Sequence, residues 1–390
     1  MTLREHFLDL QDSLQTHQDL WQASPFYLRR PAWCEQWPGL AEAALQLDDA
    51  TLTTLADSPE ALYDWLARHF PDAARLAALC KLPALPAREL APTCAQFDWG
   101  IPQRKRLQIE AFARHAPASS APLLEWCAGK GHLGRRLAFS DQQAVSSLEI
   151  DATLCEDALH LARRAGIEQT VVCADALAPA SRPLLRGRSV LALHACGELH
   201  RTLVRNAAED EAHAYRLAPC CYYRGAQDGY RPLNRDADLP LDGHTLRLAV
   251  TETVTAVRRI RERLARDQAW KLGFVALRNA MLGEAIRPFK PVPASWLSGD
   301  FTEYCLRLAE REGLPVGAGI DGAHWLATGE QRRGEVRRLE LVRHAFRRPL
   351  EIWLALDVAL GLEEAGFQAR LGTFCERSLT PRNLMVVAER

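Results

Sequence analysis

The sequence predicts an α/β fold: a mostly parallel sheet, with a helical N-terminal region over residues 1–95 and a helical insertion at about 224–344, the remaining domain running over 96–390. Three observations carry that prediction. Apolar runs of strand length alternate with helical patterns between residues 123 and 222. The first of these runs, Leu123-Leu124-Glu125-Trp126, passes into a glycine loop and then a helical pattern. That is the corner at which open sheets take nucleoside ligands. The C-terminus closes on one long helical pattern and two strand-like runs instead of a further strand–helix–strand unit.

At 390 residues the chain is long for one ordinary domain, and 48% apolar residues supply core for two. A net charge of −1 gives no global field toward nucleic acid or membrane. The charge is uneven, however: residues 1–95 are acidic on balance and the last third carries dense arginines. The 11 cysteines are scattered through expected strands and helices. No basic–apolar–small leader opens the chain and no apolar run approaches membrane-spanning length. A cytoplasmic protein with free thiols and no membrane contact is the expectation. No C-x-x-C pair occurs, so no metal site is expected.

Taken in order, Leu3, Phe7, Leu10 and Leu14 recur at helical spacing, as do Leu62 and Leu66, then Leu76 and Leu79. Prolines cut this region into short helices, and Trp21, Trp33, Trp37 and Trp65 add bulk for a core or a gripping surface. Its acidity suits a protein partner. Pro83 to Pro92 reads as a linker. Arg104, Lys105 and Arg106 then form a basic cluster, read either as a solvated helix face or as a contact to an anionic substrate or a cofactor carboxylate.

Beyond the glycine loop, Leu133 and Leu137 continue a helix. A second strand ends at Glu149-Ile150-Asp151, and Thr153 to Glu156 reads as a capping box opening a helix that stops at Gly166. A third strand ends before Asp175 and Ala176, and a fourth runs into His194-Ala195-Cys196-Gly197. A fifth ends at Pro219-Cys220-Cys221-Tyr222. In the insertion, a helix near 251–270 places Val257, Ile260 and Leu264 on one face and Arg259, Arg263 and Arg266 on the other. Gly313 to Gly334 reads as loop. Arg332, Arg333, Arg337, Arg338, Arg343, Arg347 and Arg348 form either a solvated face or a contact to an RNA backbone. Leu350, Leu354 and Val358 mark the terminal helix, and 367–374 and 383–388 the closing strands.

Gly129, Gly131 and Gly134 formally match the dinucleotide fingerprint, with Glu149 where an acid would hold a ribose, and so admit NAD. Three features favour S-adenosyl-L-methionine. Glu125 precedes the glycines, where it can organise the loop and meet an ammonium. Asp175 ends the third strand, where it can accept from an adenine amino group. The closing helix and strands suit a seventh, antiparallel strand. On this reading the cofactor residues are Glu125, Cys127, Ala128, Gly129, Lys130, Gly131, His132, Glu149, Asp151, Asp175, Ala176 and His194, and Gly134 becomes a packing residue of the helix.

Glu125–Leu133, Glu149–Asp151, Asp175, His194–Gly197, Pro219–Tyr222 and Leu379–Asn383 together resemble one branch of the class I methyltransferases. That branch includes the methyltransferase-like domain of the glutathione S-transferase C-terminal domain-containing protein, and it looks related to tRNA 2′-O-methyltransferases. The resemblance covers about 99–222 and 346–390. It implies a seven-stranded Rossmann-like sheet of order 3-2-1-4-5-7-6, with the cofactor across the C-terminal ends of strands one to four. Cys127 stands where the first loop glycine is usual and Gln108 where the family has histidine.

Methyl transfer chiefly requires alignment, and sometimes removal of a proton. His194 is a candidate base or a structural hydrogen-bonder. Cys196, Cys220 and Cys221 are candidate thiolates or small apolar core residues. Tyr222 is a wall on which a planar acceptor would stack, and Arg104, Lys105, Arg382 and Asn383 are candidate substrate contacts. The expected activity is S-adenosyl-L-methionine-dependent methylation of RNA, with tRNA the RNA that the related 2′-O-methyltransferases imply. The alternatives are a non-catalytic cofactor-binding module, methylation of a protein or small molecule, and an NAD-dependent dehydrogenase.

Overall fold

The computed structural model describes residues 1–116, 121–251, 258–283, 287, 289–317 and 319–390. One sheet holds β1 (Leu123–Trp126), β2 (Val145–Glu149), β3 (Thr170–Cys173), β4 (Ser189–Ala192), β5 (Ala214–Leu217), β6 (Gln368–Thr373) and β7 (Leu384–Glu389). Its order is β3-β2-β1-β4-β5-β7-β6. The first five strands run parallel, and β7 is antiparallel to both β5 and β6. This is the α/β order that the resemblance implies. Central β1, β4 and β5 are buried at every position, while edge strand β3 is not. Strands covered on both faces read as unbroken apolar runs, which makes them legible.

The chain divides into two compact units. One contains Met1–Thr16, Leu76–Thr255 and Arg347–Arg390; the other contains His17–Arg75 and Ala256–Phe346. These boundaries differ from the sequence division at 95 and at 224–344. The first helix, Leu3–Thr16, packs on the helix Arg347–Glu364, where Phe7 stacks on Trp353 with ring centroids 5.0 Å apart. Helical periodicity announces a buried face without naming what covers it. The helix Arg347–Glu364 is buried from Pro349 to Leu362 and lies against β6 and β7. Its Asp357 is fully buried and accepts from the backbone N–H groups of Leu233 and Asn234 and from the Tyr230 hydroxyl. Those bonds offset the desolvation of the carboxylate and pin the chain at 230–234.

Pro83 to Pro92 is not a free linker. Leu85 N–H donates to Thr373 O and Thr373 N–H donates to Pro83 O, each at 3.0 Å, and Leu85 enters the core beside β6. Proline is tolerated there because this is the sheet edge.

In the second unit the stretch read as loop, Gly313 to Gly334, contains the first half of the helix Gly322–Ala345. One of its glycines, Gly329, serves a close crossing. A Cβ on Gly329 would run into Ala269 O and lie 2.7 Å from Gly273 N, on the helix Arg258–Leu282. The apolar face expected on that second helix is also corrected. Ile260 and Leu264 are exposed, and burial begins at Ala269; Val257 lies outside the described residues. Among the described residues, no helix is long and apolar enough to cross a membrane.

Candidate active site

The loop after β1 turns through three left-handed residues: Cys127 (φ 56°), Gly129 (φ 57°) and Gly131 (φ 61°). Glycine takes this region freely and other L-residues at a cost, so Cys127 carries the strain that the sequence substitution suggested. The turn is held from beneath. Glu125 Oε2 accepts from Gly134 N–H at 3.0 Å and from the Ser147 hydroxyl at 2.8 Å. Gln169 donates to Gly131 O and Ser147 Oγ. Gly134 is the packing residue expected, since a Cβ there would sit 2.8 Å from both Gln169 Nε2 and Glu125 Oε2. Burial raises the Glu125 carboxyl to about 7, against the lowering effect of its Ser147 and Gly134 hydrogen bonds. This is the loop-organising half of the role expected for Glu125. Burial pushes the Cys127 thiol up to about 12, helped by the Glu149 charge.

On the upper side, Glu149 Oε2 accepts from Gly129 N–H at 2.8 Å, and its Oε1 accepts from the N–H groups of Ile150 and Asp151. Asp151 caps the helix Ala152–Arg164, accepting from Thr153 and Leu154 N–H. The helix therefore starts two residues before the capping box expected at Thr153: its N-cap is Asp151, and with Leu154 at the third helical position the cap is a simple aspartate cap that satisfies two orphan donors. Asp175 is exposed after β3 and closes a turn on Leu177 N–H, with Ala176 buried beside it. Lys130 pairs with Asp157 at 2.9 Å. His132 is buried, and desolvation followed by the nearby Arg135 charge lowers it to about 3, so it is a neutral ring beside Arg135 Nη2.

The second rim forms where β4 and β5 end. Cys196 and Cys220 face each other as a parallel bridge, and Gly197 N–H donates to Cys220 O at 2.9 Å. Gly197 must be glycine: its φ is 55°, and a Cβ would run into Arg224 O. The Cys196 and Cys220 sulfurs are 3.4 Å apart, and with Cys221 Sγ all three lie within 4.8 Å of one another. Cys221 is itself left-handed, at φ 45°. Hydrogen bonds from the Cys196 and then the Cys220 thiol, with the Arg224 and Arg382 charges behind them, favour its thiolate form. Cys196 and Cys220 are correspondingly held as thiols. Cysteine spacing alone gave no hint of this cluster, because it is assembled across two loops.

His194 is exposed at the end of β4, where surrounding protein and then the Lys105 charge hold its imidazole below the usual value. Lys105 is likewise exposed and acts electrostatically on Glu125 and His132. Tyr222 does not form the stacking wall expected of it. It is fully buried, edge-on to His200 at 5.7 Å, and offers no face to an acceptor. Among the proposed substrate contacts, Arg104 donates to Leu379 O at 3.0 Å and Arg382 to Ala249 O at 3.2 Å. Asn383 is buried, donating to Cys375 O and accepting from Arg348. These three tie loops together. Ser147, Gln169 and His200 were missed from the sequence, since single polar residues inside apolar runs carry no spacing signal.

Residues 105–227 match a family model described as a methyltransferase domain. A solved structure described as a protein in the NADB-Rossmann superfamily from Streptococcus agalactiae is 14% identical, with a TM-score of 0.26 over 59% of this chain and 95% of that one. The segment that carries β1 to β5, the glycine loop and the cysteine corner therefore matches a methyltransferase domain.

Proposed function

We propose that the protein is an S-adenosyl-L-methionine-dependent methyltransferase acting on RNA, with the cofactor lying over the ends of β1, β2 and β4. One observation carries the reading: Gly129 is left-handed, and nothing lies within 4 Å of where its Cβ would project. Bare backbone facing open space, flanked by the carboxylates of Glu149 and Asp175, fits an adenosyl group with hydroxyl and amino donors. When bound, S-adenosyl-L-methionine supplies a methyl group for in-line displacement. Glu149 would accept from the ribose hydroxyls and Asp175 from the adenine amino group, and the backbone from Cys127 to His132 would form the floor. His194, neutral and exposed, takes the acceptor's proton.

RNA as acceptor is supported by the exposed Arg259, Arg261 and Arg263 at the start of the helix Arg258–Leu282, a phosphate-binding composition; Arg258 beside them pairs with Glu262. The C-terminal arginines contribute less. Arg338 pairs with Asp49, Arg343 with Glu340 and Arg348 with Glu351.

Calorimetry with S-adenosylhomocysteine and with NAD tests the cofactor. The homocysteine product binds and NAD does not. Gly129→Arg weakens that binding at least about 100-fold (about 2.7 kcal/mol) while the circular dichroism spectrum stays native, since the added side chain meets open space and the left-handed backbone costs only about 1–2 kcal/mol. Unchanged affinity in the variant removes the cofactor assignment. Methyl-labelled cofactor incubated with bulk tRNA and with total protein then reads the acceptor: label in RNA, with salt-sensitive tRNA binding, supports this reading, and label in protein alone replaces it.

A further inference from the structure

Three cysteines converge at the ends of β4 and β5, and the methyl-transfer reading gives them no task. Their geometry is that of a ligand set. The Cys196 and Cys220 sulfurs are 3.4 Å apart, and none of the three sulfurs is more than 4.8 Å from another. Tetrahedral zinc with sulfur at about 2.3 Å separates its thiolates by roughly 3.8 Å, inside that range. We propose that Cys196, Cys220 and Cys221 bind a thiophilic divalent cation, Zn2+, as a three-thiolate site whose fourth position is left to water or an outside ligand.

Several independent features build the site before any metal arrives. The Cys196–Cys220 bridge and the Gly197 N–H bond to Cys220 O fix two ligands on paired backbones. Glu198 N–H donates to Arg224 O, and Arg224 N–H donates to Cys221 O at 2.9 Å, closing a turn that holds Cys221 left-handed. A non-glycine residue persists there only where its surroundings over-determine it, and such residues cluster at functional positions. Gly197 and Gly225 permit the approach, since a Cβ on Gly225 would sit 2.7 Å from the Glu198 Cβ.

The charge balance is consistent with the set. Three thiolates and Zn2+ leave one net negative charge, and the Arg224 and Arg382 guanidiniums act on this corner. Coordination forms three sulfur–metal bonds, and the protons remaining on the thiols leave to solvent; no oxidant is needed. A disulfide between Cys196 and Cys220 is the competing fate of the same atoms, and it would remove two ligands.

Metal binding by the three sulfurs needs no cofactor, so the test contains no methyl donor. The full chain, purified with a phosphine reductant and stripped by chelator, is titrated with Co2+ and then Zn2+. Sulfur-to-cobalt charge-transfer absorption should rise to one equivalent and be displaced by Zn2+. Cys221→Ala should weaken Co2+ binding at least about 10-fold, given that even outer partners of metal ligands are worth 10–100-fold. Cys127→Ser, in the other rim, should titrate like the unmodified protein, and it controls for non-specific thiol binding. The proposal is overturned if the unmodified chain gives no sulfur-to-cobalt band. It is also overturned if Cys221→Ala titrates unchanged, or if the band is lost with Cys127→Ser and kept with Cys221→Ala. Because the unmodified chain alone can refute it, the test survives a variant that fails to fold.

Discussion

The two rims of the crevice each place one cysteine in left-handed backbone, and the two thiols behave oppositely. Cys127, in the glycine loop, is half-buried; desolvation and the Glu149 charge push its thiol up to about 12, and it stays protonated. Cys221, at the cysteine corner, receives hydrogen bonds from two thiols and the field of two guanidiniums, and its thiolate is favoured. Backbone region is common to both, so it does not set the chemistry. The donors and charges within a few ångströms do. One rim is a passive cradle that presents backbone; the other is a reactive corner that presents sulfur.

The largest effect that sharpens this contrast is expected at Gly197. Gly197→Ala forces a Cβ into the Arg224 carbonyl at a left-handed position and should cost about 3–4 kcal/mol in urea unfolding. A loss under about 1 kcal/mol would mean that the corner yields as freely as the open Gly129 position. Next comes the carboxyl beneath the glycine rim. Its folded value, about 7, lies above the ordinary 4.5. Stability from this group is therefore full below about 4.5 and is lost as pH rises through 7. Glu125→Gln does not titrate, so its stability relative to the unmodified protein should improve by roughly 3 kcal/mol across that window. A difference that stays flat with pH would place the carboxylate in a more polar setting than its burial indicates. The smallest effect is Cys127→Gly. It relieves about 1–2 kcal/mol of left-handed cost against about 0.5–1 kcal/mol of added chain entropy. A gain near 0.5 kcal/mol in thermal unfolding, with cofactor affinity kept, is expected. A loss would show that the half-buried thiol contributes packing that the passive description omits.

How far the chain could be read follows the same division. The glycine rim was legible because its parts are contiguous: an apolar run, glycines for positive φ, then a helix. Glu125 and Glu149 were found because an acid ending an apolar run is conspicuous. The cap was misplaced by two residues because both Asp151 and Thr153 qualify locally, and only the backbone geometry chose between them. Tyr222 was read as a wall because an aromatic residue at a strand end resembles one; its burial against His200 depends on a helix that begins at Glu198. The first half of the helix Gly322–Ala345, as far as Gly334, was read as loop because glycine lowers helix propensity. Here Gly329 is present so that another helix can pass close by.

By itself the sequence determined the strand periods, the left-handed turns and the acids that close the strands, because each depends on residues a few positions apart. The tertiary structure decided which distant residues meet. Parallel pairing of β4 with β5 sets Cys196 opposite Cys220, 24 positions along the chain, and a left-handed turn then brings Cys221 Sγ to both. Sheet register carries that information, and no spacing within either loop contains it.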